Sequence, residues 1–209
     1  MSVTDHLRFT NAPRAEQEAV FKDLVLSNPL NAEILRRIPD LPLPQGMLVS
    51  GCLYQSIWNT LLGHEPERGI LDYDLAYYDD SDLSYEAEDV IIKACATAFA
   101  NLDADIEVRN QARVHLWFKD HFGLDYAPLS NAAEALSRYM SPCNAVAIEP
   151  VANGKLTLHA PFGFDDVFGF VVRPRGDDTQ ISAASYAKKT KRMKDLWPEL
   201  TIVPLIITE

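Results

Sequence analysis

The sequence predicts a single α+β domain, and three observations carry the prediction. Short, almost continuous apolar runs at residues 47–49, 70–78 and 106–108 have the length and composition of buried strands. Around them, apolar residues recur at helical spacing, with N-cap residues before the runs and proline or glycine after them. A length of 209 residues with 47% hydrophobic content suits one packed core, so residues 1–209 read as one domain. Within it the predicted order is N-terminal helices over 13–38, a core over about 46–125, and a hairpin with further helices over about 126–209.

In chain order, residues 15–26 form the first predicted helix, with Pro13 near its start and Asn28-Pro29 at its end. A second helix follows from Asn31, and the proline-rich run 39–44 stops it. Both are expected to be packing elements. Residues 47–49 form a short strand that ends at Ser50-Gly51, where glycine lets the backbone turn sharply or approach a ligand. The helix that follows opens with free N–H groups, which suit a phosphate. Gln55 and Asn59 lie four apart on one face of it; they either contact a substrate or satisfy local backbone.

The next strand, within 70–78, carries Asp72 and Asp74. Residues two apart on a strand point to one face, so the carboxylates leave side by side and repel. A hard divalent cation with oxygen ligands resolves that conflict. The alternative is a solvated acidic face, but the apolar flanks suggest a strand covered on both faces. Ser84 is read as the N-cap of a helix reaching about Asn101, with Glu86 and Glu88 in its first turn. A strand over 105–108 follows, and then a helix over 111–122 capped by Asn110 and stopped by Gly123. Arg109 and Arg113 emerge between them as cations suited to phosphate oxygens, or as neutralisers of the acids. A helix over 130–139 with Ser130 as N-cap and a hairpin of strands 144–148 and 155–159 around Asn153-Gly154 come next. Asp165 and Asp166 are expected to cap a short turn. The last helix, 183–196, carries Lys188, Lys189, Lys191, Arg192 and Lys194, and an apolar segment over 202–207 closes the chain.

Several of these stretches together resemble a known family. They are the Gly51 turn, Ile57-Trp58-Asn59, LDYDLAYYDDSDLSYEAED from Leu71 to Asp89, EVRNQARVHLW from Glu107 to Trp117, and APFGFDDVF from Ala160 to Phe168. The chain resembles a bacterial group of nucleotidyltransferase-like proteins in the superfamily that includes polymerase beta, over roughly residues 46–198. The resemblance implies a nucleotidyltransferase-like fold, with a mixed β-sheet and flanking helices. It also implies transfer of a nucleoside monophosphate from an NTP to a hydroxyl acceptor. Asp72, Asp74 and a third carboxylate, assigned to Glu107 with Asp105 as the fallback, would bind Mg²⁺ or Mn²⁺ and carry the catalysis. Gly51, Cys52, Gln55, Arg109 and Arg113 would contact the nucleotide. Superfamily members usually carry glycine or serine where this chain has Cys52, which leaves only the backbone N–H for a phosphate there.

A formal net charge of −11 and a pI near 4.8 argue against general nucleic-acid binding, which needs basic surface. Three widely spaced cysteines and no apolar leader suggest a reduced, cytoplasmic protein, and no apolar run approaches a membrane span. Two rivals remain. One is a catalytically silent nucleotide-binding sensor of the same fold; the other is an interaction protein that uses the basic C-terminal helix.

Overall fold

The computed structural model describes residues 5–151, 154–175 and 182–205. Five strands form one mixed sheet in the order β3-β2-β1-β4-β5, where β1 is Met47–Val49, β2 Tyr73–Tyr77, β3 Ile106–Asn110, β4 Ala147–Val151 and β5 Lys155–His159. Only β2 and β3 run parallel; the other pairings are antiparallel. The parallel pair needs a crossover, and α4 (Tyr85–Phe99) supplies it.

The first four helices lie on one face of this sheet. Tyr73, Leu75 and Tyr77 alternate inward with Leu48, Val108 and Ile148, and they share a core with buried residues of α1 (Arg14–Leu26), α2 (Pro29–Arg37), α3 (Gly51–Leu61) and α4. The opposite face, with Met47, Val49, Ala76 and Ala147, packs on a small cluster around Ala132, Leu136 and Ala145. So β2 is not covered alike on both faces, as its apolar flanks suggested. Ala76 is covered, while Asp74, two residues before it, borders open space. The candidate site lies on this thinly covered face.

Local chemistry explains the helix ends. Asn28 caps α2 by accepting from the Leu30 and Asn31 N–H groups, with Pro29 in the first turn where its missing N–H costs nothing. Ser84 accepts from Ala87 N–H at the start of α4, and Ser182 from Ser185 N–H at the start of α7 (Ala183–Leu196). Gly123, at φ +73°, ends α5 (Val114–Phe122) in the left-handed region. Two tryptophans tie the C-terminal part to α3. Trp58 donates to Val167 O at 2.8 Å, and Trp197 donates to Asn59 Oδ1 at 2.7 Å. Asn59 also donates to Pro66 and Arg68 carbonyls, so it is a structural residue that holds the loop after α3.

Four expected elements shift. Strand β3 runs on through Arg109 and Asn110, because Asn110 N–H is met by Glu88 Oε1 at 2.8 Å. Asn110 therefore does not cap α5; its side chain instead bridges Asp79 and Ala112 N–H. The helix expected over 130–139 is a 3-10 segment, Ala133–Arg138. There Ser130 donates to the Glu134 carboxylate rather than accepting from the backbone. Strand β4 starts three residues late, because Asn144 and Ala145 N–H groups are spent on the turn Pro142–Asn144. The closing apolar segment contributes only Ile202 to a short strand, β7 (Thr201–Ile202), parallel to β6 (Val171–Val172), after the short helix α6 (Asp165–Phe168). Asn153 of the expected hairpin turn and the end of the 202–207 segment lie outside the described residues.

Candidate active site

The site is built where β1 hands over to α3. Ser50, between them, adopts φ +58° and ψ −112°, a conformation that costs a non-glycine residue on the order of 1–3 kcal/mol. Its N–H donates to Val146 O, and its carbonyl accepts from Leu53 and Tyr54. Among the described residues, no carbonyl meets the first two amides of the helix, Gly51 and Cys52. A Cβ added at Gly51 would lie 3.1 Å from Gln55 Nε2 and 3.9 Å from Asp72 Oδ1. Asp72 thus stands over the helix start, and glycine keeps that space open. Gln55 is buried, and its Oε1 has no partner among the described residues. Cys52 is fully buried with its thiol on Val49 O, so its side chain is turned into the core. Burial, and then the charges of Asp74 and Asp72, push that thiol well above its ordinary range.

Register gathers the carboxylates. Val49 pairs with Asp74, and Asp74 with Glu107, across three adjacent strands. Ala76 pairs with Arg109 one step further along, so Glu107 and Arg109 share Asp74's face. Asp72 precedes β2 by one residue and is not itself in the strand. Burial pushes the Asp74 carboxyl up to about 6, with the charges of Asp72 and Glu107 adding and Lys189 and Arg109 opposing. The conflict between acids that the sequence implied is therefore centred on Asp74. Arg109 donates to Glu107 Oε2 at 3.1 Å in a half-exposed pair.

Asp74 opens on a cleft of about 440 Å³. Ser50, Arg109, Asn144 and Lys189 are among its polar lining residues, and α5 with the segment after it supplies an aromatic wall. Glu107 opens on an adjoining groove beside Tyr85 and Glu88, and the two spaces share Arg109, Trp117 and Phe122. Arg113 is placed differently from the sequence expectation. It is buried in an ion pair with Glu88 and donates to Leu83 O at 2.9 Å, so it anchors α4 to the turn before α5. Among the described residues, no three His, Cys, Asp or Glu side chains enclose a metal ion as they stand. Magnesium keeps several waters and is held by one or two carboxylates together with substrate phosphates, so the donor set of Asp72 and Asp74 fits it.

A nucleotidyltransferase family model matches residues 36–202, most of the chain. The protein belongs to this nucleotidyltransferase family. A solution NMR structure described as a CCA-adding enzyme head domain superposes on the transferase with a TM-score of 0.68. The match covers 94% of this chain and 100% of that one at 23% identity, and it shows the fold. No curated protein matches the sequence.

The transferase also draws in residues that the sequence reading passed over. Lys189 is one of five basic positions on the last helix, with nothing in the sequence to single it out; the fold places it in the lining of the cleft that Asp74 borders. Three of the other four are engaged elsewhere: Lys191 with Asp195, Arg192 with Gly69 O, and Lys194 with Pro198 and Leu200 carbonyls. The basic run is therefore not one continuous free face. Tyr139 lines the cleft near Asp74, and burial followed by that charge pushes its phenol upward. Among the described residues, no helix is long and apolar enough to cross a membrane.

Proposed function

We propose that the cleft transfers a nucleoside monophosphate from an NTP to a hydroxyl acceptor, with Mg²⁺ or Mn²⁺ held by Asp72 and Asp74. The observation that carries this reading is Asp74, placed in register with Glu107, beside Asp72 and the start of α3, and raised to about 6 until a cation arrives. When bound, the metal would supply charge neutralisation for phosphate oxygens and a template for in-line displacement.

The chain's own groups divide the remaining work. The Gly51 and Cys52 amides, at the positive end of α3, donate to phosphate oxygens. Lys189 and Arg109 offset the triphosphate charge from the two sides of Asp74. Glu107, on its own groove, orients the acceptor hydroxyl and receives its proton. The acceptor oxygen bonds to the α-phosphorus, and the bond to the bridging oxygen breaks as pyrophosphate leaves. Placement and charge complementarity carry most of such a reaction.

The silent-sensor reading leaned on Cys52. Because that side chain is buried in the core, cysteine costs the phosphate site nothing that its backbone supplies. The reading is tested by supplying α-labelled ATP, GTP, CTP and UTP with Mg²⁺ and a small-molecule extract. Label transfer with pyrophosphate release, lost in Asp74→Asn, is the expected result. Transfer that survives Asp74→Asn would refute it.

A further inference from the structure

Asn144 is 1% exposed and lines the cleft at the end of the turn Pro142–Asn144. Its backbone N–H donates to Ser141 O, but neither Nδ2 nor Oδ1 of its side chain has a partner among the described residues. A buried amide left unsatisfied at both atoms is expensive, and native proteins keep few of them. A phosphate oxygen would satisfy Nδ2 alone and set an anion against Oδ1. Both atoms are satisfied together by a ligand edge that carries a donor beside an acceptor.

The same cleft has an aromatic wall. Phe118 meets Tyr126 and Phe122 at ring-centroid distances of 4.6 and 4.7 Å, and Trp117 lies 6.3 Å from Phe122. Phe122 is 54% exposed, so its ring is open to a ligand in the cleft. A cleft of about 440 Å³ is of nucleoside size, so a ligand that fills it touches both the wall and Asn144.

We infer that Asn144 and the α5 wall form a subsite for a planar heteroaromatic ring of the nucleobase type. Asn144 pairs with the donor–acceptor edge, as amide side chains do with adenine, and Trp117 and Phe122 cover the ring face. The inference rests on reading the cleft as a nucleotidyl-transfer site and adds the residues that read the ring. The ring belongs either to the NTP or to a heteroaromatic acceptor.

Trp58 and Trp197 are fully buried in the core, so Trp117 is the tryptophan whose emission a cleft ligand changes. The experiment titrates adenosine, guanosine, cytidine and uridine, without phosphate or metal, into wild type, Asn144→Ala and Phe122→Ala, with thermal melts to verify folding. At least one nucleoside should quench Trp117 saturably. Asn144→Ala should erase the preference among bases and weaken the preferred one on the order of tenfold. Phe122→Ala, at an exposed position that tolerates truncation, should weaken all four together by a similar factor. Repeating the titration with a non-hydrolysable NTP analogue and Mg²⁺ assigns the ring. Displacement of the nucleoside gives it to the NTP, simultaneous binding gives it to the acceptor, and either outcome supports the subsite. Absence of quenching by every nucleoside overturns the inference. So does Mg²⁺–NTP binding that is lost in Asp74→Ala but keeps its affinity and base order in Asn144→Ala and Phe122→Ala; in that case the transfer reading stands and the ring subsite falls. Nucleoside binding that needs Asn144, alongside NTP binding indifferent to Asp74, has the reverse meaning.

Discussion

Replacing Asp74 with asparagine should stabilise the metal-free protein while it destroys the site. The carboxyl is raised from 3.8 to about 6 by burial and by Asp72 and Glu107. A raised carboxyl means that the folded state holds its proton more tightly than the unfolded chain does. Stability is then lost as pH rises from about 4 through 6, and at neutral pH the ionised group opposes folding. The difference between 3.8 and about 6 corresponds to roughly 3 kcal/mol as an upper bound. Asparagine keeps the shape and removes the charge, so a gain of about 1–3 kcal/mol is expected near pH 7.5. For a chain of this size that is a rise in Tm of ~3–9 °C. The assay is thermal unfolding in a chelator at about pH 7.5 and about pH 4.5. At the lower pH the wild-type carboxyl is mostly protonated, so most of the gain should vanish. Added Mg²⁺ with NTP should then raise the Tm of the wild type and leave the variant unmoved. An unchanged Tm at neutral pH, or an equal gain at both pH values, would refute the reasoning.

Other outcomes follow from the same geometry. Glu88→Ala strands Arg113 in the interior and should cost about 3–5 kcal/mol by denaturant melting, while Glu88→Leu with Arg113→Met should recover most of the loss. Asn59→Ala leaves Trp197 Nε1 without its acceptor and should cost about 1–3 kcal/mol, again read by denaturant melting. Lys189→Ala should weaken NTP binding on the order of tenfold in a salt-dependent manner, whereas Lys191→Ala, on a residue paired with Asp195, should not; calorimetry distinguishes them. Cys52, Cys95 and Cys143 are all buried, so a thiol reagent should label none of them until the protein unfolds.

The fold class and the acidic strand could be read from the sequence because both are local signals. Met47–Val49 and Ala183–Leu196 have the extents expected from the apolar run and from the Trp197-Pro198 stop, whereas the pairing of Asp74 with Glu107 comes from the register of two strands that are distant in the chain. What could not be read depends on long-range partners. Arg113 looked like a phosphate ligand because nothing local tells of Glu88, 25 residues earlier in the chain, turning inward to meet it. Lys189 was one lysine among several until the fold brought α7 to Asp74. Asn144 read as part of a strand, since a turn that consumes its N–H leaves no mark on the apolar pattern around it. Cys52 read as a departure at a ligand contact, and only the packing of α3 shows that its side chain never reaches the ligand side.

The central claim is that Asp72 and Asp74 hold a metal–triphosphate at the start of α3. Its most direct test is calorimetric titration of each NTP with Mg²⁺ into wild type and the Asp72→Asn/Asp74→Asn variant, with melts to show that both are folded. The account predicts saturable binding of at least one NTP to the wild type, dependent on Mg²⁺ and absent from the variant. Binding of equal strength in both proteins, or binding indifferent to Mg²⁺, would contradict it.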